Sequence, residues 1–201
     1  MLQLNQKISS VLENCVEYVN YFDIGMLIYE LYKDTYVVTN IKQKSWFRFK
    51  DHIWNQTELG PYKELSTEVL TLFKQYMRSL KKSVKKNAGT IQNCEKIISM
   101  LFSTSEKEQI CRECLYIFYD YTFFKKLDHS NSLVPFKNGV YNWQEKTFRD
   151  GRSNDMLSIY VNEEFVPDKC YDKLIKDFIQ FRTKLINTRI QSFECGYNVK
   201  R

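Results

Sequence analysis

Glycine and proline together supply only nine of the 201 residues, too few for long flexible linkers or low-complexity segments. No apolar run approaches the roughly 20 residues a membrane helix needs, so no membrane partner is expected. Residues Met1 to Lys7 lack the basic start and apolar block of a secretory signal, and the chain reads as intracellular. None of the six glycines is followed by lysine, so the G-x-x-x-x-G-K loop that cradles nucleotide phosphates is missing. No two aspartates stand two apart, so an Asp-x-Asp pair for divalent metal is missing as well.

Histidine is equally scarce. With only His52 and His129, nucleophile–base arrangements have few candidates, and each histidine reads as a loop or turn residue. Six cysteines (Cys15, Cys94, Cys111, Cys114, Cys170 and Cys195) read as free thiols in a reducing compartment. Cys111 and Cys114 have the spacing of half a zinc site, but no second Cys or His pair exists to complete it. Packing as small hydrophobes is the better reading, and no metal, cofactor, catalytic residue or small-molecule substrate is expected.

What is present is core material and basic charge. The apolar fraction is 43%, with 14 Phe, 14 Tyr and 3 Trp, enough for a packed interior. The net charge of +6 is uneven: residues 63–96 carry eight basic and three acidic side chains. Lys74, Arg78, Lys81, Lys82, Lys85 and Lys86 follow one another without an intervening acid. Such asymmetry suggests a polyanionic partner.

Hydrophobic spacing orders the chain. Residues 8–20 predict an amphipathic helix, and Asp23 reads as the N-cap of a second. Residues 35–56 predict a small antiparallel meander turning at Lys50-Asp51-His52. From Leu65 the strongest 3.6-residue period in the chain runs to about Lys86, with Asn87-Ala88-Gly89 as its stop. Ile91 to Leu101 predict the next helix, and Ser103 to Glu106 have capping-box spacing for another. Val134-Pro135-Phe136 and Val140 to Trp143 flank a turn at Asn138-Gly139. Leu157 to Val161 predict a strand, residues 169–186 a helix, and residues 187–201 have no clear period. Trp143 and Phe148 are expected to be buried rings beneath the 138–152 hairpin.

Two stretches carry a family resemblance. Ser45-Trp46-Phe47-Arg48-Phe49-Lys50-Asp51-His52-Ile53-Trp54 is similar to a W-Y-x-F-x-G-H-x-W signature. Phe136-Lys137-Asn138-Gly139-Val140-Tyr141 and Phe148-Arg149-Asp150-Gly151-Arg152, then Asp155 and Ser158, resemble F-x-N-G-V-Y-D-L…F-R-x-G-R-x-x-D-x-x-S. Both belong to the N-terminal-like domain that precedes the superfamily 3 helicase core in poxvirus-type primase–helicases. These occur in nucleocytoplasmic large DNA viruses, with related phage and plasmid primases. Order and spacing agree over roughly residues 20–178. Asp51 stands where the family favours Gly, and Asn142 where it has Asp. The resemblance implies that a helicase core would follow near residue 201, so the chain reads as a truncated, split or fragmentary relative.

The expected fold is α+β and predominantly helical, with a small antiparallel meander and a β-hairpin. The expected organisation is an N-terminal helix (1–22), the family domain (23–178) and a C-terminal extension (179–201). Trp46, Trp54, Phe136, Asn138, Gly139, Tyr141, Arg149, Gly151 and Arg152 are read as structural motif residues, although Arg149 and Arg152 could also meet phosphate. Lys74, Arg78, Lys81, Lys82 and Lys85 are the candidate nucleic-acid contacts, weighed against an ordinary solvated surface. The resemblance implies a non-catalytic module of a viral DNA-replication primase–helicase that links primase to motor. Its partners would be single-stranded DNA and replication proteins or a helicase core, in the host cytoplasm or at a viral replication site. The alternative is a stand-alone interaction domain that docks replication proteins without touching DNA.

Overall fold

The computed structural model describes residues 6–82, 88–167 and 169–198. The fold is α+β and mostly helical, with two three-stranded antiparallel sheets. The chain forms two compact units: Met1–Arg48 with Gln56–Tyr121, and Phe49–Asn55 with Thr122–Arg201.

In the first unit, α1 (Gln6–Tyr18) buries Leu12, Cys15 and Val16, the residues its period predicts. Helix α2 (Tyr21–Tyr32) starts earlier than the sequence suggests. Asn20, not Asp23, is its N-cap: at φ −130° its side chain accepts the Asp23 N–H at 2.8 Å. Asp23 instead lies in the first turn, where a negative charge suits the helix dipole. Strands β1 (Tyr36–Asn40) and β2 (Ser45–Lys50) pair with Val37 opposite Phe47 and Val38 opposite Trp46. Trp46 is buried edge-on to Tyr36 and tilted against Phe118, beneath Gly60, where a Cβ would come within 2.5 Å of its ring.

The long periodic segment is not one uniform helix. It opens with a single turn, α3 (Tyr62–Glu64), widens into a π-helical turn at Leu65–Val69, and continues as α4 (Leu70–Lys82). Residues 83–87 lie outside the described set. Ala88 and Gly89, read above as a stop, are the first residues of α5 (Ala88–Phe102). Ser103 caps α6 (Thr104–Ile117) by accepting the Glu106 N–H, as the capping-box spacing predicts. Buried Ile24, Leu27, Ile28, Val69, Phe73, Cys94, Ile97, Ile110 and Cys114 form the core.

The second unit holds the turn into β3 (Ile53–Thr57). Asp51 and His52 both have positive φ (52° and 70°), the twist that suits a two-residue hairpin loop. Trp54 is buried there, its backbone N–H on the Leu157 carbonyl at 2.7 Å and its indole N–H on the Ser153 carbonyl at 2.8 Å. After the short α7 (Phe123–Lys126) come β4 (Leu133–Phe136), β5 (Gly139–Asn142) and β6 (Thr147–Arg149). In their sheet Val134 faces Tyr141, and Tyr141 faces Phe148.

Two expectations are corrected here. Leu157 to Val161 is not a strand. Met156 turns the chain at φ 51°, Leu157 and Ser158 bond to different partners, and only Val161 reaches β4, donating to the Pro135 carbonyl at 2.8 Å. The last helix, α8, spans Asp172–Asn198, well beyond residue 186. Once nucleated, a helix elongates with no need for an apolar stripe, and no proline interrupts residues 187–198.

Candidate nucleic-acid interface and the motif-bearing sheet

Helix α4 turns Leu70 and Phe73 into the core and leaves its cations outside. Arg78 and Lys82 are exposed, one helical turn apart, and form no ion pair among the described residues. Lys81 meets the Glu95 carboxylate of α5 at 3.2 Å, with both side chains about half exposed. A pair so exposed is worth only about 0.2–1 kcal/mol and opens readily to a stronger anion. Lys74 is half-buried and holds its ammonium 5.0 Å from the centre of the Phe102 ring. The four described cations therefore share one helix. Lys85 lies outside the described residues.

The motif residues of the second unit satisfy one another. Asn138 holds the Phe165 backbone with both ends of its amide. Gly139 has φ 157°, and a Cβ there would fall 2.6 Å from the Phe148 ring and 2.8 Å from the Arg149 carbonyl oxygen, so only glycine fits. Arg149 binds Asp155 through two nitrogens at 2.8 and 2.7 Å, and Asp155 also accepts the Arg152 N–H at 2.7 Å. Burial raises the Asp155 pKa; the Arg149 and Arg152 hydrogen bonds outweigh it and hold the carboxyl below its ordinary range. Gly151 sits against His52: its N–H donates to Nδ1 at 3.0 Å, and a Cβ would fall 2.6 Å from the His52 Cβ. Phe136 is fully buried, whereas the Arg152 side chain is exposed.

Trp143 and Phe148 are not buried rings. They are 38% and 39% exposed, because β6 lies at the sheet edge and the turn before it faces solvent. Trp143 donates its indole N–H to the Asn131 carbonyl, and Phe148 stacks on Phe165.

Several organising residues were missed in the sequence. Phe165 lies in no strand or helix, yet it meets Phe136, Tyr141, Phe148 and Tyr171. Arg182 is 1% exposed on α8 and donates to the Leu133 and Ser130 carbonyls. Asp128 is fully buried and accepts both the N–H and the hydroxyl of Ser158. In the first unit, buried Glu64 takes the Tyr36 hydroxyl at 2.8 Å and the Arg48 guanidinium at 3.2 Å. Nothing in local spacing marks a buried charge whose partners are distant in sequence.

Cys15, Cys94 and Cys114 are buried, whereas Cys170 is exposed. Cys114 is fully buried and well above the ordinary thiol range through burial, and burial pushes half-buried Cys111 up to about 12. Among the described residues no three His, Cys, Asp or Glu side chains are grouped to hold a metal ion. No helix among them is long and apolar enough to cross a membrane.

Fold and motif together define a helical α+β module whose second sheet is locked by internal Asn, Gly and Arg–Asp contacts. The chain belongs to the family described as D5 N terminal like, whose profile matches residues 25–183. It is 28% identical over 189 residues to a "Putative helicase" of Acanthamoeba polyphaga mimivirus, covering 89% of this chain and 20% of that protein. Proteins of the same description from Frog virus 3 and Invertebrate iridescent virus 3 are 38% and 32% identical over 63 and 71 residues. Those matches cover 31% and 35% of this chain, and 6% and 8% of the viral proteins. The chain thus spans a fifth or less of the length of these curated relatives.

Proposed function

We propose that this chain is a non-catalytic module of a viral DNA-replication primase–helicase, joining primase to motor and touching single-stranded DNA through α4. The family and the helicase descriptions of its relatives support the first part. The observation that carries the second is the exposure of Arg78 and Lys82, without ion pairs among the described residues, beside Lys81 and Lys74. Lys85 continues the same run in sequence. Catalysis belongs on this reading to other parts of the parent protein, a primase and ATP-dependent helicase. The partners are DNA, replication proteins and a helicase core, within the host cell.

Each neutralised phosphate releases condensed counterion, so single-strand affinity falls with salt at a log–log slope near −0.7 per contact. Changing Arg78 and Lys82 together to Glu removes two contacts and flattens that slope by about 1.4. The helix survives, because these positions avoid the apolar face and the residues have similar propensities. A salt titration of labelled oligonucleotide, with circular dichroism as folding control, tests this. No binding by the unchanged chain at about 50 mM salt, or equal binding by the folded variant, leaves docking to replication proteins without DNA as the reading. Exposed Tyr116 and Tyr121, 68% and 72% accessible near the end of α6, would serve that role.

A further inference from the structure

Helices α4 and α5 run antiparallel, as two contacts on one edge of their seam show: Lys81 with Glu95, and Lys74 with Phe102. From Lys81 to Lys74 is about 10 Å along the axis. Arg78 falls between them on the same stripe. Phe102, the last residue of α5, closes that edge. Its ring belongs to a residue 63% exposed, although Cys94, Ile97 and Leu101 of the same helix are buried in the core. Lys74 covers one face with its ammonium, and so large an exposure leaves the rest of the ring to solvent.

An exposed phenylalanine beside a row of cations has the make-up of a single-strand site. Cations track the phosphates while an aromatic face takes a base, and every base has a π-face, so no sequence is selected. The lysine above the ring adds to this: it can meet a phosphate while its methylene stem stays against the aromatic edge. We propose that Phe102 is a base-stacking platform at the end of the α4 stripe, with Lys74 holding the phosphate of the stacked nucleotide. The proposal rests on the DNA-binding reading above and assigns the base contact within it. A ring so exposed contributes little to the core, and its removal leaves the fold intact.

The probes are oligo(dT) of about twelve nucleotides, within the span such surfaces occupy, and an abasic strand of the same length. Phe102→Ala should weaken oligo(dT) binding by about five- to a hundredfold. It should leave the salt slope and the abasic affinity unchanged, because no phosphate contact is lost. Phe102→Trp should regain the affinity and show fluorescence quenching by oligo(dT) that the abasic strand does not produce. Trp46, Trp54 and Trp143 supply a background, read from the unchanged chain. Equal oligo(dT) affinity for Phe102→Ala, or equal quenching by the abasic strand, overturns the platform and leaves the stripe standing. Loss of the salt effect in the Arg78/Lys82 variant distinguishes the stripe's own contribution. Absence of any binding by the unchanged chain overturns both.

Discussion

Asn138 holds Phe165 by both backbone groups: its Nδ2 donates to the Phe165 carbonyl oxygen at 3.0 Å, and its Oδ1 accepts the Phe165 N–H at 2.8 Å. The ring so placed stacks with Phe148 at 4.5 Å and Tyr141 at 4.7 Å, and meets Phe136 edge-on at 5.4 Å. A turn residue of the family motif thereby fixes the centre of an aromatic cluster 27 residues away.

The ring that joins the aromatic cluster of the second sheet is therefore Phe165, not Trp143 or Phe148. Phe165→Ala should cost about 3 kcal/mol, the low end for a large aromatic, since the ring is only partly enclosed. Phe148→Ala, at the exposed sheet edge, should cost about 1–2 kcal/mol. Asn138→Asp keeps the acceptor but sets a carboxylate against the Phe165 carbonyl, at about 1–3 kcal/mol. Urea midpoints followed by tryptophan fluorescence measure all three. A Phe148→Ala loss as large as that of Phe165→Ala would remove Phe165 from the centre.

The Arg149–Asp155 fork makes stability depend on pH in a definite direction. The folded carboxyl titrates below its ordinary value of 3.8, so the unfolded chain binds the proton more readily. The pair's contribution is complete above that value and is lost as pH falls from there through the lower folded pKa. The stability gap between the unchanged chain and Asp155→Asn should hold from pH 7 to about pH 5 and narrow below about pH 4. Arg149→Lys should cost about 1–2 kcal/mol at neutral pH, because an ammonium cannot reproduce the two parallel bonds. Urea midpoints across that range test it; a gap independent of pH would show that the charge of Asp155 contributes nothing.

The legible parts of the fold were those governed by local rules. The apolar period of α1, α4, α5 and α6 named their buried faces, and the Ser103 cap and the Asp51-His52 turn follow from short-range chemistry. The motif residues were read from the sequence as structural, and Asn138, Arg149 and Gly151 make hydrogen bonds inside their own unit. What escaped depended on distant partners. Leu157 to Val161 has the composition of a strand, but its hydrogen bonds are claimed singly by Trp54, Asp128 and Pro135. Trp143 and Phe148 look like core by size, and only the edge position of β6 exposes them. The stripe was visible as charge, but its neighbour Phe102 was not, because their proximity arises only when α4 and α5 pack.

Arg182 shows the same dependence in its strongest form and gives the last prediction. It lies on α8 at a point where the sequence suggests only a polar helical residue, yet it is 1% exposed. Its guanidinium donates to the Leu133 carbonyl at 2.8 Å and to the Ser130 carbonyl, tying α8 to the start of β4. Burial pulls its pKa down, and the negative charge of Asp128 acts in the opposite direction. Arg182→Met fills much of the volume but strands two carbonyls and leaves a fully buried carboxylate without that compensating charge. The expected loss is about 1–3 kcal/mol, as for leaving buried hydrogen-bonding groups without their donor. Adding Asp128→Asn should cost less in the Arg182→Met background than alone, because the favourable charge of Arg182 is by then already lost. Denaturant midpoints of the two single variants and the double variant measure that coupling, and far-ultraviolet circular dichroism reports whether α8 persists. An Arg182→Met midpoint equal to that of the unchanged chain would mean that α8 is held by its apolar residues, Leu174, Ile175, Phe178 and Ile179, without the guanidinium.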